Sequence, residues 1–317
     1  MSKNYLDFKR SEKYPFMRDV TIDSIYKAAK KNKNLFFATP DMGAPALDLF
    51  RVNLPKQFIH CGISEQHMIS FAAGLALMNK KIFCYAMSPF INARCYEQIK
   101  CSVAAMNLKV NLIAVGVGLG YADAGPTHYS TEDICIMKAF PNLTIYTPSD
   151  DFSAKIITDK IISTNNFVYL RLDRDSLPSI YKNKDFNFVN GFNFLNKRKN
   201  KICIVTCGYL THKAMDICKI LENKIDVIDL FRIKPFPENL LKVLAKYKQV
   251  ITLEEQLASG GFGSTIQEIA SDKNINIKLK KFHLEDRFYF ENGGRDYLLD
   301  KFGLSSRKII SFIKEIK

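Results

Sequence analysis

The sequence predicts an α/β protein made of two doubly wound domains with mostly parallel sheets. Apolar runs of strand length alternate with amphipathic helical stretches along most of the chain. The strand candidates are continuous apolar runs, which is typical of parallel strands that are covered on both faces. The length of 317 residues is that of about two domains.

The first domain is predicted over residues 15–180 and the second over 201–317. Residues 175–200 are rich in Asn, Lys, Phe and Ser and show no clear period, so a linker is placed at 181–200. Strands are expected at 35–39, 81–86, 110–117, 143–147, 168–172, 202–206, 225–229, 249–253 and 275–280. Helices are expected at 65–78, 93–106, 133–140, 151–164, 212–222, 238–246, 262–271 and near the C-terminus.

The charge and the cysteines exclude several classes of function. The formal net charge is +14, but the basic residues are scattered and the longest basic run, 197–201, lies in the linker, so no nucleic-acid partner is expected. None of the eight cysteines forms a Cys-x-x-Cys pair, and the five histidines lack zinc-ligand spacing. Most of the cysteines lie in apolar stretches, as small buried hydrophobes do in a reducing compartment.

Nothing in the hydropathy pattern indicates a membrane partner. No apolar run approaches the ~20 residues of a membrane span, and the first residues do not resemble a signal peptide. A cytoplasmic location is therefore expected.

The segment around Glu65 is the most informative part of the sequence. Glu65 follows a loop that contains Gly62 and begins a helix with small residues at 72–74. A carboxylate in the first helical turn can be a simple partner of the helix dipole. Close-packed small residues can also remove it from water, which raises the pKa of a Glu and prepares it for proton transfer. The local sequence leaves both roles open.

Three segments carry a resemblance to a known family. Gly62-Ile-Ser-Glu-Gln-His-Met68 resembles the pyrimidine-binding domain of the transketolases and is similar also to 1-deoxyxylulose-5-phosphate synthase. Gly125-Pro-Thr-His128 resembles the Gly-Pro-Thr-His loop of the same family, and Ser259-Gly-Gly-Phe-Gly-Ser264 resembles a turn of its C-terminal domain. The order and spacing of the three segments match over residues 15–317.

The resemblance implies that thiamine diphosphate is the cofactor. In such enzymes a Glu, here Glu65, hydrogen-bonds the cofactor's aminopyrimidine ring and favours its imino tautomer. Phe90 matches the aromatic residue on which that ring stacks, although an ordinary core Phe is the alternative. Ser88, in the same Ser-Pro-Phe segment, and Asp41, which can equally be a turn residue, complete the predicted cofactor site.

The resemblance also implies a set of substrate-binding residues. His128 matches a histidine that handles protons of substrate hydroxyl groups, and His60 is expected to face substrate. Arg94 and Arg174 are the candidates for holding an anionic group, because the guanidinium fork suits phosphate. Glu65, His128 and His60 are thus the predicted catalytic residues.

Two departures from the family pattern modify this prediction. The chain has no Gly-Asp-Gly segment followed at a distance by Asn, which in the family grips Mg²⁺ and the diphosphate. A partner N-terminal subunit is therefore expected to bind most of the Mg²⁺ and diphosphate, in a closed α2β2 assembly, with no metal ligands on this chain. On the substrate side, Ala124 replaces the Asp that usually precedes Gly-Pro-Thr-His, and Asp123 stands one place earlier.

The predicted function is therefore that of a split transketolase subunit. It transfers a two-carbon ketol unit from a ketose or its phosphate to an aldose-type acceptor, with altered sugar specificity. The alternatives are the β subunit of a 2-oxo-acid dehydrogenase, a 1-deoxyxylulose-5-phosphate synthase-like enzyme, and a non-catalytic subunit that kept the fold.

Overall fold

The computed structural model describes residues 14–40, 43–182 and 185–316. The strands in chain order are β1 Leu35–Thr39, β2 Phe58–His60, β3 Lys81–Met87, β4 Val110–Val115, β5 Leu143–Tyr146, β6 Phe167–Leu172, β7 Asn193–Asn196, β8 Ile202–Thr206, β9 Asp226–Asp229, β10 Arg232–Lys234, β11 Gln249–Leu257 and β12 Leu279–Leu284.

The helices cover both faces of the sheets. They are α1 Met17–Lys31, α2 Asp48–Asn53, α3 Glu65–Leu77, α4 Ser88–Ile91, α5 Tyr96–Gln98, α6 Asp133–Lys138, α7 Asp151–Ser163, α8 Tyr209–Ile220, α9 Glu238–Leu244, α10 Phe262–Asp272, α11 Arg295–Lys301 and α12 Ser306–Glu315, with a 3₁₀ turn at Pro45–Leu47 and a π-helical segment at Ile99–Ala104. Among the described residues, no helix combines the length and the apolar character that crossing a bilayer requires.

Two mostly parallel sheets confirm the predicted fold class. The first has seven strands in the order β10-β5-β6-β4-β3-β1-β2, and the second has five in the order β12-β11-β8-β9-β7. Neighbours are parallel except at β10–β5 and β7–β9, at the sheet edges. The central strand β4 is buried along its whole length, as its continuous apolar sequence predicts.

Several elements differ from the sequence prediction. The helix expected at 93–106 is broken into α5 and the π-helical segment, and β12 begins four residues later than expected. The prediction missed the amphipathic helix α1, although its buried residues Ile22, Ile25 and Ala29 have helical spacing. It also missed β2, β7 and β10, because edge strands of three or four residues carry too little alternation to be read from sequence.

The second half of the chain contributes directly to the first sheet. Strand β10 pairs antiparallel with β5, and Phe231 just before it is fully buried in the core beneath the first sheet. Strand β7, which lies inside the predicted linker 181–200, pairs with β9 at the edge of the second sheet. Strand β10 therefore ties the two sheets together, because it belongs to the first sheet while its neighbours in the chain, β9 and β11, belong to the second.

A buried arginine also joins the two sheets. Arg295, at the start of α11, is 7% exposed and contacts Asp173 over 2.8 Å and Glu255 over 2.6 Å. Asp173 follows β6 of the first sheet, whereas Glu255 belongs to β11 of the second. The guanidinium also lies 3.7 Å from the ring centroid of Tyr209. Arg295 thus neutralises two carboxylates that the packing of the sheets removes from water.

Replacing Arg295 by Met is expected to destabilise the chain by about 3–5 kcal/mol, because Asp173 and Glu255 stay buried without their cation. Chemical denaturation measures this directly. Lys155→Met is the matched control, since Lys155 is in an exposed i,i+4 pair with Asp159 and its removal should cost no more than about 0.5 kcal/mol. Equal effects of the two substitutions would contradict the role assigned to Arg295.

A further buried carboxylate, that of Glu254, makes stability depend on pH. Glu254 is 3% exposed, and one of its oxygens accepts the backbone N–H of Gly263 over 3.1 Å at the start of α10. Burial raises the pKa of Glu254 from 4.5 to about 7. The folded chain therefore keeps this proton at pH values where the unfolded chain has lost it. The stabilisation is complete below about 4.5 and disappears as pH rises through about 7.

We expect the melting temperature of the chain to fall between pH 5 and pH 8, and Glu254→Gln to reduce that fall. The amide oxygen of Gln can still accept the Gly263 N–H, but it cannot ionise. Part of the pH dependence should remain, because burial also raises the pKa of Asp229 to about 7. Calorimetric melting of both proteins across this pH range tests the assignment, and an identical slope in the variant would refute it.

Candidate active site

The predicted site residues follow parallel strands that end at one edge of the first sheet. The loops and helices after β2, β3, β4 and β6 carry Glu65, Phe90, His128 and Arg174, respectively. In open α/β sheets, ligands bind outside the carboxyl ends of the strands. This edge is therefore the candidate active site.

Glu65 begins helix α3 and is almost fully buried, with 4% of its surface exposed. The turn before it needs Gly62, whose φ of 68° lies in the left-handed region. The hydroxyl of Ser64 donates to the carbonyl oxygen of Cys61 over 2.6 Å and fixes the same turn. The Glu65 carboxylate accepts a hydrogen bond from Nη1 of Arg94 over 2.7 Å. It is thus both shielded from water and paired with a guanidinium.

Arg94 also stacks on Phe90. Its guanidinium carbon lies 4.0 Å from the centroid of the Phe90 ring, within the range of a cation–π contact. The thiol of Cys95 donates to the Phe90 carbonyl over 3.1 Å. Burial, together with the nearby charge of Glu65, raises the pKa of that thiol to about 12. The planar guanidinium of Arg94 thus lies against the ring of Phe90 while it donates to the buried carboxylate of Glu65.

His128 is adjacent to this group. Its ring is 5.3 Å from the Phe90 ring in an edge-on arrangement and 6.0 Å from the ring of Tyr121. The hydroxyl of Thr127 is 2.9 Å from Nδ1 of His128. Arg174 lies over the other end of this series, 4.6 Å from the Tyr121 centroid. A continuous series of contacts thus begins at the Glu65 carboxylate and ends at Arg174. It runs through Arg94, Phe90, His128 and Tyr121.

Backbone geometry holds the loop that carries His128. Gly118 and Ser130 exchange backbone hydrogen bonds of 3.1 and 2.9 Å, which close the loop at its base. Gly116 has a φ of 79°, and a Cβ there would lie 2.0 Å from the ring of Tyr121. A residue with a side chain at this position would push Tyr121 away from His128.

A buried polar cluster supports the turn that presents Phe90. The Ser88 hydroxyl lies 2.7 Å from that of Ser130 and 3.1 Å from that of Tyr169, and the Asn92 amide donates to all three oxygens over 3.0–3.1 Å. Ser88 and Asn92 are at most 1% exposed. This geometry gives Ser88 a positioning role below Phe90, and its predicted contact with the cofactor stays a prediction.

An ion pair lies beneath the cluster. Arg171 donates to both carboxylate oxygens of Asp133 over 2.6 and 2.9 Å, and neither side chain is more than 5% exposed. The Tyr169 hydroxyl donates to the same carboxylate over 2.9 Å, and so does the side chain of Gln256 from the second sheet. Asp133 begins α6 immediately after the His128 loop, so this pair connects the floor of the site with both sheets.

The structure therefore brings five predicted site residues together and places others differently. The contiguous residues are Glu65, Phe90, Arg94, His128 and Arg174. Sequence reasoning missed Tyr121, Asn92 and Ser130, which carry no motif signal of their own. Tyr121 could have been found from its position between Gly120 and the Gly-Pro-Thr-His segment.

The remaining predicted residues have weaker structural support. Asp41 lies outside the described residues. His60 is exposed at the end of β2, where it pairs in register with Thr39. His67, two positions after Glu65, is exposed on α3 with its ring 6.3 Å from that of Phe71. Within the part of the chain that the structure describes, no three His, Cys, Asp or Glu side chains converge as metal ligands do.

The solvent-facing side of α3 and the residues flanking it expose four large apolar side chains beside the polar residues Gln66, His67 and Ser70. Phe71, Leu77 and Met78 are 39%, 57% and 66% exposed, and Ile63 in the preceding loop is 80% exposed. The inner face of the same helix, with Met68 and Ile69, is fully buried. Large apolar side chains that are exposed close together, as these are near the buried Glu65, are typical of a surface that another protein covers.

The chain thus consists of two α/β units, with a buried carboxylate and an aromatic residue at the edge of the first sheet where ligands of such folds bind. Residues 14–179 match the transketolase pyrimidine-binding domain, and residues 193–309 match the transketolase C-terminal domain. The chain is 30% identical over 312 residues to a putative transketolase C-terminal section of Methanocaldococcus jannaschii, covering 97% of this chain and 98% of the relative.

A further relative and a solved structure are similar to this chain over most of its length. An apulose-4-phosphate transketolase subunit from Phocaeicola vulgatus is 30% identical over 262 residues, covering 81% of this chain and 84% of that relative. A solved structure of a split-gene transketolase, described as an inactive β4 tetramer, superimposes with a TM-score of 0.84 at 27% identity and covers 95% and 98% of the two chains. The chain belongs to the transketolase family, whose members depend on thiamine diphosphate.

Proposed function

We propose that this chain is the C-terminal subunit of a split transketolase that transfers a two-carbon ketol unit from a ketose, or its phosphate, to an aldose-type acceptor. One observation carries the proposal. Glu65 and Phe90 both contact a single planar group, the guanidinium of Arg94, by a hydrogen bond and by stacking. These two contacts are the ones that an aminopyrimidine ring requires.

The site residues fit the cofactor in three respects. Glu65 offers a hydrogen-bond acceptor that water barely reaches, and Phe90 offers an aromatic face held by the buried Ser88 cluster. Arg94 shows that a planar donor reaches both at once. When bound, thiamine diphosphate supplies the nucleophilic carbon and the electron sink for cleaving the carbon–carbon bond beside a ketone. Glu65 would hold and orient the pyrimidine, and its burial would exclude water from that contact.

Residues farther along the edge would handle the substrate. His128 is half-buried beside Phe90, where its imidazole can donate or accept a hydrogen bond to a substrate hydroxyl. Arg18 and Arg174 line one cleft beside the His128 loop, a suitable environment for the phosphate of a sugar. His60 at the end of β2 and Asp41 stay in the proposal as predicted contacts.

The residues at the proposed substrate end of the site, Asp123, Ala124 and Arg174, support an altered sugar specificity. Asp123, which stands one place before the expected acidic position, is paired with Arg174 over 2.7 Å. The side chains of Asp123 and Arg174 are 68% and 39% exposed, so the pair is open to solvent and to ligands. With Ala124 in the expected acidic position, a hydroxyl of the usual sugar loses one acceptor, and discrimination depends on such buried pairings.

A second chain completes the proposed enzyme. The relatives named above, a transketolase C-terminal section and an apulose-4-phosphate transketolase subunit, extend over about the same length as this chain. The exposed apolar side chains on and beside α3, those of Ile63, Phe71, Leu77 and Met78, would be covered by such a partner. We propose that an N-terminal transketolase subunit docks there, contributes most of the Mg²⁺ and diphosphate contacts, and forms an α2β2 assembly.

Thiamine diphosphate with Mg²⁺ is expected to bind tightly only to a mixture of this chain and a partner that carries the Gly-Asp-Gly segment. Isothermal calorimetry on this chain alone, on the partner alone and on the mixture measures this. Tight binding by this chain alone would contradict the proposed division of the site between subunits. A mixture that assembles but binds no cofactor would contradict the proposed function.

Replacing Glu65 by Gln should lower the turnover of the assembled enzyme at least about 100-fold, because an amide cannot take the place of a proton-accepting carboxylate. Glu97→Gln, at an exposed position in α5, is the matched control and should leave turnover unchanged. Assays with ketose phosphates and with pyruvate as donors accompany both variants. Unchanged turnover in Glu65→Gln would favour a non-catalytic role for this chain, and pyruvate use would favour the synthase or dehydrogenase alternatives.

A further inference from the structure

We infer that Arg94 is a displaceable occupant of the pyrimidine position, which competes with the cofactor for Glu65 and Phe90. The inference rests on the proposed function. It adds a step to cofactor binding, in which the guanidinium must leave both groups before the aminopyrimidine ring can contact them.

The geometry supports direct competition. The guanidinium is planar, donates to the Glu65 carboxylate over 2.7 Å and lies 4.0 Å from the centroid of the Phe90 ring. One carboxylate oxygen and one aromatic face are thus both engaged by the same planar group. An aminopyrimidine that stacks on the same face and donates to the same carboxylate occupies the same space, so the two cannot bind together.

The burial of the two partners decides which of them moves. The Glu65 side chain is 5% exposed and belongs to the first turn of α3, so its burial leaves it little room to change rotamer. The Arg94 side chain is 39% exposed and sits on a long flexible stem. Arg94 can therefore swing into solvent while Glu65 and Phe90 keep their places.

Glu65 exchanges one hydrogen-bond donor for another when the cofactor binds. Its buried carboxylate therefore has a partner both in the cofactor-free and in the cofactor-bound state. A buried carboxylate without a hydrogen-bond donor is unfavourable, because its lost hydration is not replaced. Arg94 provides a donor to Glu65 before the cofactor arrives, and the pyrimidine, once its ring nitrogen has taken up a proton from solvent, would provide one afterwards. The consequence is that part of the cofactor's binding free energy is used to displace Arg94, so its observed affinity is lower than its intrinsic affinity.

Replacing Arg94 by Met tests the inference, because Met keeps an unbranched stem but has neither the charge nor the donors. In the assembled complex with Mg²⁺, Arg94→Met should bind thiamine diphosphate about tenfold more tightly, the loss of a cation–π contact and an ion pair being of that order. Calorimetry gives the dissociation constant, and stopped-flow mixing should show faster association. Arg94→Lys, which keeps the charge but not the planar fork, should fall between wild type and Arg94→Met.

Arg287→Met is the matched control. Arg287 likewise stacks on a phenylalanine, 4.4 Å from the Phe302 centroid, and pairs with a glutamate, Glu291, over 2.7 Å, but in the C-terminal part of the chain. Its replacement should leave cofactor affinity unchanged. Thermal unfolding of each free subunit verifies that the variants are folded.

The outcomes separate this inference from the proposed function. Equal or weaker cofactor binding by Arg94→Met, with normal binding by wild type, would overturn the role of Arg94 and leave the proposed function standing. Tighter binding by Arg287→Met to the same extent would also overturn it. A wild-type complex that binds no thiamine diphosphate would overturn the proposed function and this inference with it.

Discussion

The buried ion pair between Arg171 and Asp133 is the interaction on which the rest of the site depends. It connects strand β6 to the start of α6, immediately after the His128 loop, and the Tyr169 hydroxyl extends it to the cluster of Ser88, Asn92 and Ser130 under Phe90. Because both charges are removed from water, each requires the other and the hydrogen bonds around them. The pair therefore fixes two loops relative to each other, and the positions of Phe90 and His128 follow from it.

Buried polar contacts that must be satisfied also join the two halves of the chain. Gln256 bonds Asp133 from the second sheet, Arg295 neutralises carboxylates from both sheets, and β10 extends the first sheet from the second half of the sequence. Buried polar groups that must be satisfied across a boundary allow few relative orientations of the two units. The C-terminal half thus acts as a structural support for the site, although the proposed cofactor and substrate contacts come from the first sheet.

The two ends of the candidate site differ in burial. The groups around Glu65 are buried, whereas the pair of Arg174 and Asp123 is exposed. The Glu65 end consists of buried groups set by a helix start and a polar cluster, so the proposed cofactor contacts tolerate little change there. The Arg174 end consists of an exposed ion pair with Asp123 on a glycine-rich loop. Exposed pairs contribute little to stability, so their residues can change without loss of the fold. If the proposed assignment of the two ends holds, substrate preference can diverge through the exposed pair while the buried cofactor contacts are retained.

The sequence by itself determined the fold class and most central strands and helices, and it predicted Glu65, Phe90 and His128 as site residues, which the structure places at one edge of the first sheet. These features depend on local periodicity and on motifs whose residues are contiguous in the chain. Only the tertiary structure decided the partner of Arg94, which was predicted for an anionic substrate but contacts Glu65, 29 positions away in the chain. It also decided the buried position of Ser88, the role of Tyr121 beside His128, and the crossing of β10 into the first sheet. The physical reason is that hydrogen bonds, stacking and strand pairing between distant residues depend on distances in space, which the order of residues does not specify.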